Sequence, residues 1–415
     1  MLNNLLLALI SFKYIFSFNE LSRLPNSEVM FYCHDANRGF SYSNKKYAQL
    51  IDTINELLIN KGYKTITIAT PISVINKNNG FGDIYLVNGI IVRSRFVHKF
   101  YQLINILFSL KLNSKIQCWV KILKKVNPKV IVGIEPSVEL CIAANIMDIW
   151  VADLQHGVIS DDGYYSIKYR VKYNQKGWPS CIFCWDKATE IYIKKNLQQY
   201  VEVFETGNPW LDRFRFPDSQ DTLVQSFLHN ENDIDNHKKI ILITLQWGDL
   251  ISKFGKTGIP PELIQIIKDL SPEYSWWIRL HPLYLNSSKH NEITQNLALE
   301  FSNNSNICWE KPTELPIPVV LSKSNLHITI SSAVTKEAAL FHVKTALLSP
   351  DINSLNKWFS YELSSGFAEI IDLKKDELKE WILNNIDINS DKPITSNSNR
   401  SLMSNILFKK LNNEN

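Results

Sequence analysis

Short apolar runs alternate with amphipathic segments from residue 28 onward, and this alternation constrains the fold more than any other feature. The apolar run EVMFYCHD at residues 28–35 precedes a helical pattern at 44–63, and another apolar run follows at 64–70. The same order recurs along most of the chain. Alternating strands and helices predict a mostly parallel sheet with helices on both faces, so we expect an α/β fold.

Two such series share the chain. The second starts near Lys238, and the polar stretch PDSQDTLVQSFLHNENDIDNHKK precedes it. A length of 415 residues fits two domains of about 200 residues each. We therefore expect two doubly wound domains that face each other across a cleft. The predicted parts are an N-terminal domain over 1–205, a connecting region over 206–237, a C-terminal domain over 238–375 and a helical tail over 376–415.

Basic side chains cluster in one part of the chain, although the net charge is only +4. No acidic residue lies between Asp83 and Glu135, and apolar residues alternate with arginines and lysines across the basic segment, 93–129. One interpretation is amphipathic helices whose basic face meets an anionic membrane surface or a charged acceptor. The other is ordinary solvated helix faces.

The N-terminal apolar stretch is shorter than the roughly 20 residues that a membrane-spanning helix needs. No basic residue precedes it and no clear cleavage site follows it. We therefore expect a cytoplasmic protein, peripheral at most to the inner face of a bacterial membrane. Nucleic acid is not an expected partner.

Six cysteines are scattered through mostly apolar contexts, which suits buried reduced thiols better than a disulfide framework. Cys181 and Cys184 form a lone CxxC whose spacing also fits one strand. No second pair of ligands with zinc-like spacing accompanies them. The sequence therefore predicts neither a metal site nor a cofactor.

Polar residues follow the predicted strands of the C-terminal domain, and ligands of open α/β sheets bind at such strand ends. Ser331 and Ser332 end one strand and precede a helix, whose first amides and dipole favour a phosphate. Glu337 lies farther along this helix, where its carboxylate can reach ribose hydroxyls. The alternative is a helix cap followed by a solvated glutamate.

Two more strands of this domain end in candidate donor-site residues. Arg279 and His281 lie in WWIRLHPLY, where a histidine can stabilise a leaving phosphate or else bond to the loop backbone. Gln246 and Gly248 close KKIILITLQWG, and the glycine lets a diphosphate or sugar approach the backbone. The sequence contains neither a P-loop nor a dinucleotide-binding glycine fingerprint in its strand–helix context.

The N-terminal domain offers a candidate base and candidate acceptor-side residues. LQHGVISDDG supplies His156 and the pair Asp161 and Asp162, and either group can take a proton from an attacking hydroxyl. The alternative for Asp-Asp-Gly is a turn, which all three residues favour. The acceptor-side candidates stand at the ends of predicted strands and are His34, Asp35, Arg38 and Glu135.

Three short motifs occur in the order Asp161-Asp162-Gly163, His281-Pro282 and Ser331-Ser332. With two Rossmann-like domains, they resemble the GT-B glycosyltransferase superfamily, and in particular bacterial sialyltransferases and capsule polysialyltransferases. The resemblance implies that the acidic pair supplies the general base, and that His281 and the two serines hold a cytidine monophosphate leaving group. The segments LQHGVI, ETGNPWLD, IRLHP and SSAVTKEAAL also resemble wall-polymer glycerophosphotransferases. Non-hydrolysing sugar-nucleotide 2-epimerases share the fold.

The leading hypothesis is a metal-independent, inverting glycosyltransferase of capsule or lipopolysaccharide biosynthesis. It would move a sugar from a nucleotide-sugar donor, CMP-linked in the sialyltransferase case, to a saccharide or lipid-linked acceptor. A second hypothesis is transfer of a polyol phosphate from a CDP-linked donor, with His156 as the base. A third is a non-catalytic assembly protein that keeps the fold.

Overall fold

The structure is a computed structural model. It describes residues 14–70, 72–103, 108–159, 170, 175–228, 238–246, 248, 254–284, 287–302, 304–348, 351–387 and 400–412. The chain divides into two compact units. The first unit comprises residues 1–210 and 397–415, and the second unit comprises residues 211–396.

The first unit is built on a parallel sheet. Its strands are β1 (Val29–Cys33), β2 (Phe40–Tyr42), β3 (Lys45–Tyr47), β4 (Thr65–Ala69), β5 (Ile84–Leu86), β6 (Val130–Gly133), β7 (Trp150–Leu154), β8 (Cys181–Cys184) and β9 (Glu202–Glu205). Seven of these pair in parallel, in the order β5-β4-β1-β6-β7-β8-β9, and β2 and β3 form an antiparallel hairpin. The strands β4, β6 and β8 are buried along their whole length, as a sheet covered on both faces requires.

Helices cover both faces of this sheet. They are α1 (Gln49–Asn60), α2 (Asn88–Leu103), α3 (Phe108–Val126), α4 (Val138–Ile146) and α5 (Lys187–Leu197). The alternation of side chains along β1 separates two cores, because Met30 packs with residues of α3 and α4 while Phe31 packs with residues of α1. Ser137 and Asp186 begin α4 and α5 by accepting backbone N–H groups of the first turn.

The second unit contains another parallel sheet. Its strands are β10 (Ile240–Thr244), β11 (Ser275–Arg279), β12 (Ile307–Cys308), β13 (Leu326–Thr329), β14 (Lys344–Leu347) and β15 (Ala368–Ile370), in the order β12-β11-β10-β13-β14-β15. This order is that of a doubly wound sheet, with its reversal between β10 and β13. The α/β fold with doubly wound parallel sheets is confirmed.

The remaining helices follow β9 in the chain. They are α6 (Pro209–Arg215), α7 (Thr222–Leu228), α8 (Pro261–Leu270), α9 (Ser288–Glu300), α10 (Glu310–Glu314), α11 (Ile317–Lys323), α12 (Val334–Leu340), α13 (Ile352–Trp358), α14 (Ser360–Ser364), α15 (Lys375–Asn385) and α16 (Arg400–Leu411). Within the described ranges, no helix is long and apolar enough to cross a membrane.

The structure differs from the predicted elements in three places. The helix predicted from residue 44 begins at Gln49, because Lys45–Tyr47 pairs with Phe40–Tyr42 instead. The short edge strands β5 and β15 were not predicted. The tail predicted over 376–415 is divided: α15 packs in the second unit, whereas α16 buries Met403 and Leu407 in a core of the first unit.

All six cysteines are described and none forms a disulfide. Cys181 and Cys184 are both buried in β8, so the CxxC is part of a strand, as one of its two interpretations predicted.

Candidate functional site

The carboxyl ends of three neighbouring strands of the second unit carry most of the predicted donor-site residues. The strand β10 lies between β11 and β13, and its last residue is opposite the last residue of each. This edge contains the point where the strand order reverses, which is where an open parallel sheet binds its ligands. The residues two or three positions beyond these strand ends are Gln246, His281, Ser331 and Ser332.

Hydrogen bonds hold Gln246 and Gly248, which follow β10. Gln246 Nε2 donates to Thr329 Oγ1 at 3.1 Å, and the N–H of Gly248 donates to Tyr284 Oη at 2.9 Å. Gly248 has a φ of 69°, and a Cβ there would have no atom of the described residues within 4 Å. Glycine is therefore favoured at this position by its backbone conformation rather than by crowding.

A buried polar chain supports this edge from within the sheet. His327 lies 2.8 Å from Thr244 Oγ1 through Nε2 and 3.0 Å from Thr345 Oγ1 through Nδ1. Burial lowers the pKa of His327 to about 3, so its ring is neutral. The buried polar chain, Thr329 and Tyr284 were not predicted from the sequence. The available signal was the presence of polar residues inside otherwise aliphatic strands.

Arg279 connects this edge to residues 312–315 by hydrogen bonds and adds positive charge to it. Its Nη1 donates to the backbone carbonyls of Pro312 and Leu315, the latter at 2.6 Å. Burial lowers the pKa of Arg279 to about 10, against the opposing effect of Glu337, so the guanidinium stays charged at neutral pH. Arg279 was predicted as a donor-site phosphate ligand. Because its Nη1 already donates to two backbone carbonyls, this role is modified.

Glu337 is also a charged residue at this edge. It lies in the first turn of α12 and is only partly exposed. Its carboxylate makes no hydrogen bond or ion pair with the described residues. Burial raises the pKa of Glu337 to about 7, and the nearby charge of Arg279 opposes that rise. A partly buried carboxyl that titrates near neutrality and makes no hydrogen bond with the described residues is typical of a binding site.

The serine pair connects β13 to α12. Ser332 Oγ accepts the N–H of Val334 at 3.2 Å. Ala333 already has helical dihedral angles, so Ser332 stands where a capping residue accepts an N–H of the first turn. Ser331 is half-buried, and its hydroxyl makes no hydrogen bond within the described parts of the chain.

His281 is half-buried just beyond β11. Burial and, to a smaller extent, the charge of Arg279 lower the pKa of His281 to about 4. The imidazole is therefore neutral at physiological pH and carries one N–H. The backbone carbonyl of His281 accepts the N–H of Tyr284 at 2.9 Å, and the Tyr284 hydroxyl in turn accepts the N–H of Gly248.

In the first unit, His156 follows the interior strand β7 by two residues. The preceding Gln155 is buried, donates from Nε2 to the carbonyl of Gly157 at 2.9 Å and accepts the N–H of Trp185 at 2.8 Å. These bonds hold the backbone on both sides of His156. Burial lowers the pKa of His156 to about 4, so this ring is also neutral. The predicted pair Asp161 and Asp162 lies outside the described residues.

Glu135 follows the carboxyl end of β6, the strand that lies between β1 and β7 in the sheet. Its φ is 48°, a left-handed conformation that is unfavourable for glutamate, and its N–H donates to Asp153 Oδ1 at 3.0 Å. Burial raises the pKa of Glu135, and the charge of Arg170 opposes that rise. Strained backbone of this kind concentrates at functional sites, so Glu135 remains a candidate on the acceptor side.

The other acceptor-side candidates have structural contacts. Asp35 accepts hydrogen bonds from the Ser73 hydroxyl and from the N–H of Val74 at 2.9 Å, and His34 Nδ1 accepts the N–H of Ala36 at 3.0 Å. Both residues therefore stabilise the turn after β1 and its contact with the loop at 73–75.

The buried position of Arg38 contradicts the prediction that this residue lies on the acceptor side. Its side chain is fully buried and pairs with the equally buried carboxylate of Asp52 at 2.8 Å. The β2–β3 hairpin, which was not predicted, follows Arg38, and the guanidinium also donates to the carbonyl of Lys46 at 3.4 Å. Arg38 thus fixes the hairpin to α1.

Among the residues that the structure describes, no group of three or more histidine, cysteine or acidic side chains could hold a metal ion.

No family model matches this sequence, and no curated protein matches it either. Solved structures do resemble it. A UDP-GlcNAc 2-epimerase from Neisseria meningitidis bound to UDP-GlcNAc is 14% identical, with a TM-score of 0.55 over 92% of this chain and 99% of that one. A putative UDP-N-acetylglucosamine 2-epimerase from Listeria monocytogenes is also 14% identical, with a TM-score of 0.58 over 94% and 98%.

The wall teichoic acid polymerase TagF is similar along the whole chain. It is 14% identical, with a TM-score of 0.55 over 100% of this chain and 96% of that one. At these identities the likeness concerns the fold alone. The fold is that of GT-B enzymes, as the sequence resemblance implied.

Proposed function

We propose that this chain transfers a nucleotide-activated sugar to a saccharide or lipid-linked acceptor of a bacterial surface polymer. The observation that carries the proposal is Glu337, a partly buried carboxylate without a hydrogen bond among the described residues. It lies at the edge where a doubly wound sheet binds nucleotides. A ribose diol supplies two hydroxyl donors for such a carboxylate.

The donor phosphate would lie nearer the strand ends. The neutral ring of His281 can donate its N–H to a phosphate oxygen, and the hydroxyl of Ser331 can donate a second bond. Arg279 contributes its charge from behind the loop. Because these groups stabilise the leaving phosphate directly, the proposed reaction requires no metal ion.

The first unit would supply the acceptor side and the base. Hydrogen bonds hold the backbone on both sides of His156, beyond the end of an interior strand, and its neutral ring can accept a proton. Glu135 and the Asp161–Asp162 pair are the other candidates for this step. Replacing each group separately distinguishes them, because only loss of the base abolishes turnover while donor binding persists.

The solved relatives support an enzyme of nucleotide-sugar chemistry. One of the similar structures holds UDP-GlcNAc and another belongs to a polymerase of wall teichoic acid. The coverage of the whole chain by the polymerase also favours a second candidate, transfer of a polyol phosphate from a CDP-linked donor with His156 as the base.

Ligand-induced thermal stabilisation separates these functions. We expect CMP or UDP to stabilise the chain if it transfers a sugar. CDP-glycerol should stabilise it more than CMP or any nucleotide sugar if it transfers a polyol phosphate. The Glu337→Gln variant should lose the effect, whereas Glu273→Gln, at an exposed position before β11, should keep it. If no nucleotide stabilises the intact chain, the enzyme proposal fails and the assembly-protein hypothesis is favoured.

A peripheral contact with the inner membrane surface is part of the proposal. Phe16 and Phe18 are 67% and 68% exposed, and Phe96 on α2 is 53% exposed. Arg93 lies 4.8 Å above the ring of Phe18, in the basic segment. Exposed aromatic rings beside basic side chains suit the boundary of an anionic lipid surface.

A further inference from the structure

A cavity of about 870 Å³ opens at the amino ends of β6, β7, β8 and β9 in the first unit. This edge of the sheet is opposite to the one that carries His156 and Glu135. The volume lies in the range of ligand-binding cavities, which is roughly 300–1,000 Å³. Nothing in the proposed transfer reaction uses this cavity.

Five solvent-exposed side chains that line the cavity can form hydrogen bonds with a ligand. The amides of Asn145, Gln175 and Gln198 and the carboxylates of Asp148 and Glu202 make no side-chain hydrogen bond within the described parts of the chain. Amides both donate and accept, and carboxylates accept through two oxygens. Such a set matches vicinal hydroxyl groups, each of which also donates and accepts.

The charges at the cavity balance. Asp148 and Glu202 are its two acidic residues, and Lys129 and Lys410 are its two basic ones. Lys129 is already engaged, because its Nζ donates to the carbonyl of Leu411 at 3.1 Å and lies 3.6 Å from a carboxylate oxygen of Glu28. A phosphate-rich ligand would find little uncompensated positive charge here, so the balance favours a neutral ligand.

Aromatic side chains form part of the wall. Trp178 and Tyr200 stack with ring centroids 5.5 Å apart and an interplanar angle of 14°. The guanidinium of Arg170 lies 5.7 Å from the ring of Trp178 and is itself buried, with Nη1 bonded to the carbonyl of Gly177 at 3.0 Å. These contacts hold Trp178 in place within the wall. Trp150 and Tyr200 are partly exposed, and the C–H faces of a pyranose can pack on such rings.

We propose that this cavity binds a neutral oligosaccharide segment of the acceptor polymer, away from the transfer site. The inference rests on the proposed function, because a growing saccharide chain is the ligand that a polymer-extending transferase meets. Binding there would hold the polymer between transfers without taking part in the chemistry.

The test uses the intact chain on a printed array of bacterial oligosaccharides, with neutral and phosphate-bearing sets. The variant combines Gln198→Ala with Glu202→Ala, and the matched control is Gln199→Ala, an exposed neighbour that does not line the cavity. We expect retention on the neutral set, a loss of about tenfold or more in affinity for the double variant, and no change for the control. Melting temperature and nucleotide affinity, measured alongside, should match those of the wild-type chain.

Three results would overturn the inference: no retention on any neutral oligosaccharide, retention on the phosphate-bearing set alone, or equal retention by the double variant. Failure of the proposed function would give a different result from failure of this inference. If nucleotides do not bind but neutral oligosaccharides bind in a manner that depends on Gln198, the cavity is a saccharide site in a protein of another activity.

Discussion

Replacing Glu337 by Gln should stabilise the fold at alkaline pH and weaken nucleotide binding at the same time. In the folded chain the pKa of Glu337 is raised to about 7 from its usual 4.5. The folded state therefore binds this proton more tightly than the unfolded state does. The resulting stabilisation is fully present below pH 4.5 and is lost as the pH rises through about 7.

The size of the effect follows from the shift. Each pKa unit corresponds to about 1.4 kcal/mol, so the rise from 4.5 to about 7 sets an upper bound of roughly 3–4 kcal/mol. Because Glu337 is partly exposed, solvent screening reduces this figure, and we expect the Gln variant to be about 1–2 kcal/mol more stable at pH 8. The difference should shrink by pH 5, where the wild-type carboxyl is protonated.

Nucleotide binding should change in the opposite direction. Hydrogen bonds to a charged group contribute about 1.5–3 kcal/mol, so the Gln variant should bind the preferred nucleotide about tenfold more weakly or worse. Wild-type affinity should also rise between pH 6 and pH 8 as the carboxylate ionises. Urea unfolding at pH 5 and 8 and titration calorimetry measure both effects, with Glu273→Gln as the control. If the variant binds nucleotide as tightly as wild type and gains no stability at pH 8, the assignment of Glu337 is wrong.

Four further predictions concern other sites. Asp52→Asn leaves the buried charge of Arg38 unpaired and should cost about 3–5 kcal/mol in urea unfolding; an effect below 1 kcal/mol would contradict the ion pair. His327→Leu leaves two threonine hydroxyls without their bonds and should cost about 1–3 kcal/mol per hydroxyl, measured in the same way. Phe18→Asp should lower sedimentation with anionic vesicles but not with neutral ones, and unchanged sedimentation would exclude this membrane contact. If His156 is the base, His156→Ala should abolish turnover while nucleotide affinity is retained. Normal turnover would leave the Asp161–Asp162 pair and Glu135 as the candidates for the base.

The parallel sheets were predictable because buried strands leave continuous apolar runs. Strands such as VIVG at β6 and IILIT at β10 are buried on both faces, and the helices between them show a polar face. The edge strands β5 and β15 have three residues each, which is too short for a periodic pattern. The same limit explains the hairpin at residues 40–47, whose polar residues resemble a helix start.

Part of the candidate site was also predictable from the sequence. His281 and the serine pair lie beyond the ends of neighbouring strands, because parallel strands bring their carboxyl ends to one edge. The contacts of charged side chains were not predictable, because they depend on partners distant in the chain. Arg38 meets Asp52 through a hairpin, and Arg279 meets carbonyls more than 30 residues away. Residues at the starts of four strands line the cavity in the first unit, so no single segment of the sequence predicts it.

The central claim is that the carboxyl edge of the second sheet binds the nucleotide part of a donor. Hydrogen–deuterium exchange of the intact chain, with and without the nucleotide that stabilises it, tests this claim most directly. We predict slower exchange in peptides that cover residues 329–340 and 279–284, with no change in peptides at the amino ends of β10, β11 and β13. Protection confined to other segments, or no protection at saturating nucleotide, would contradict the assignment.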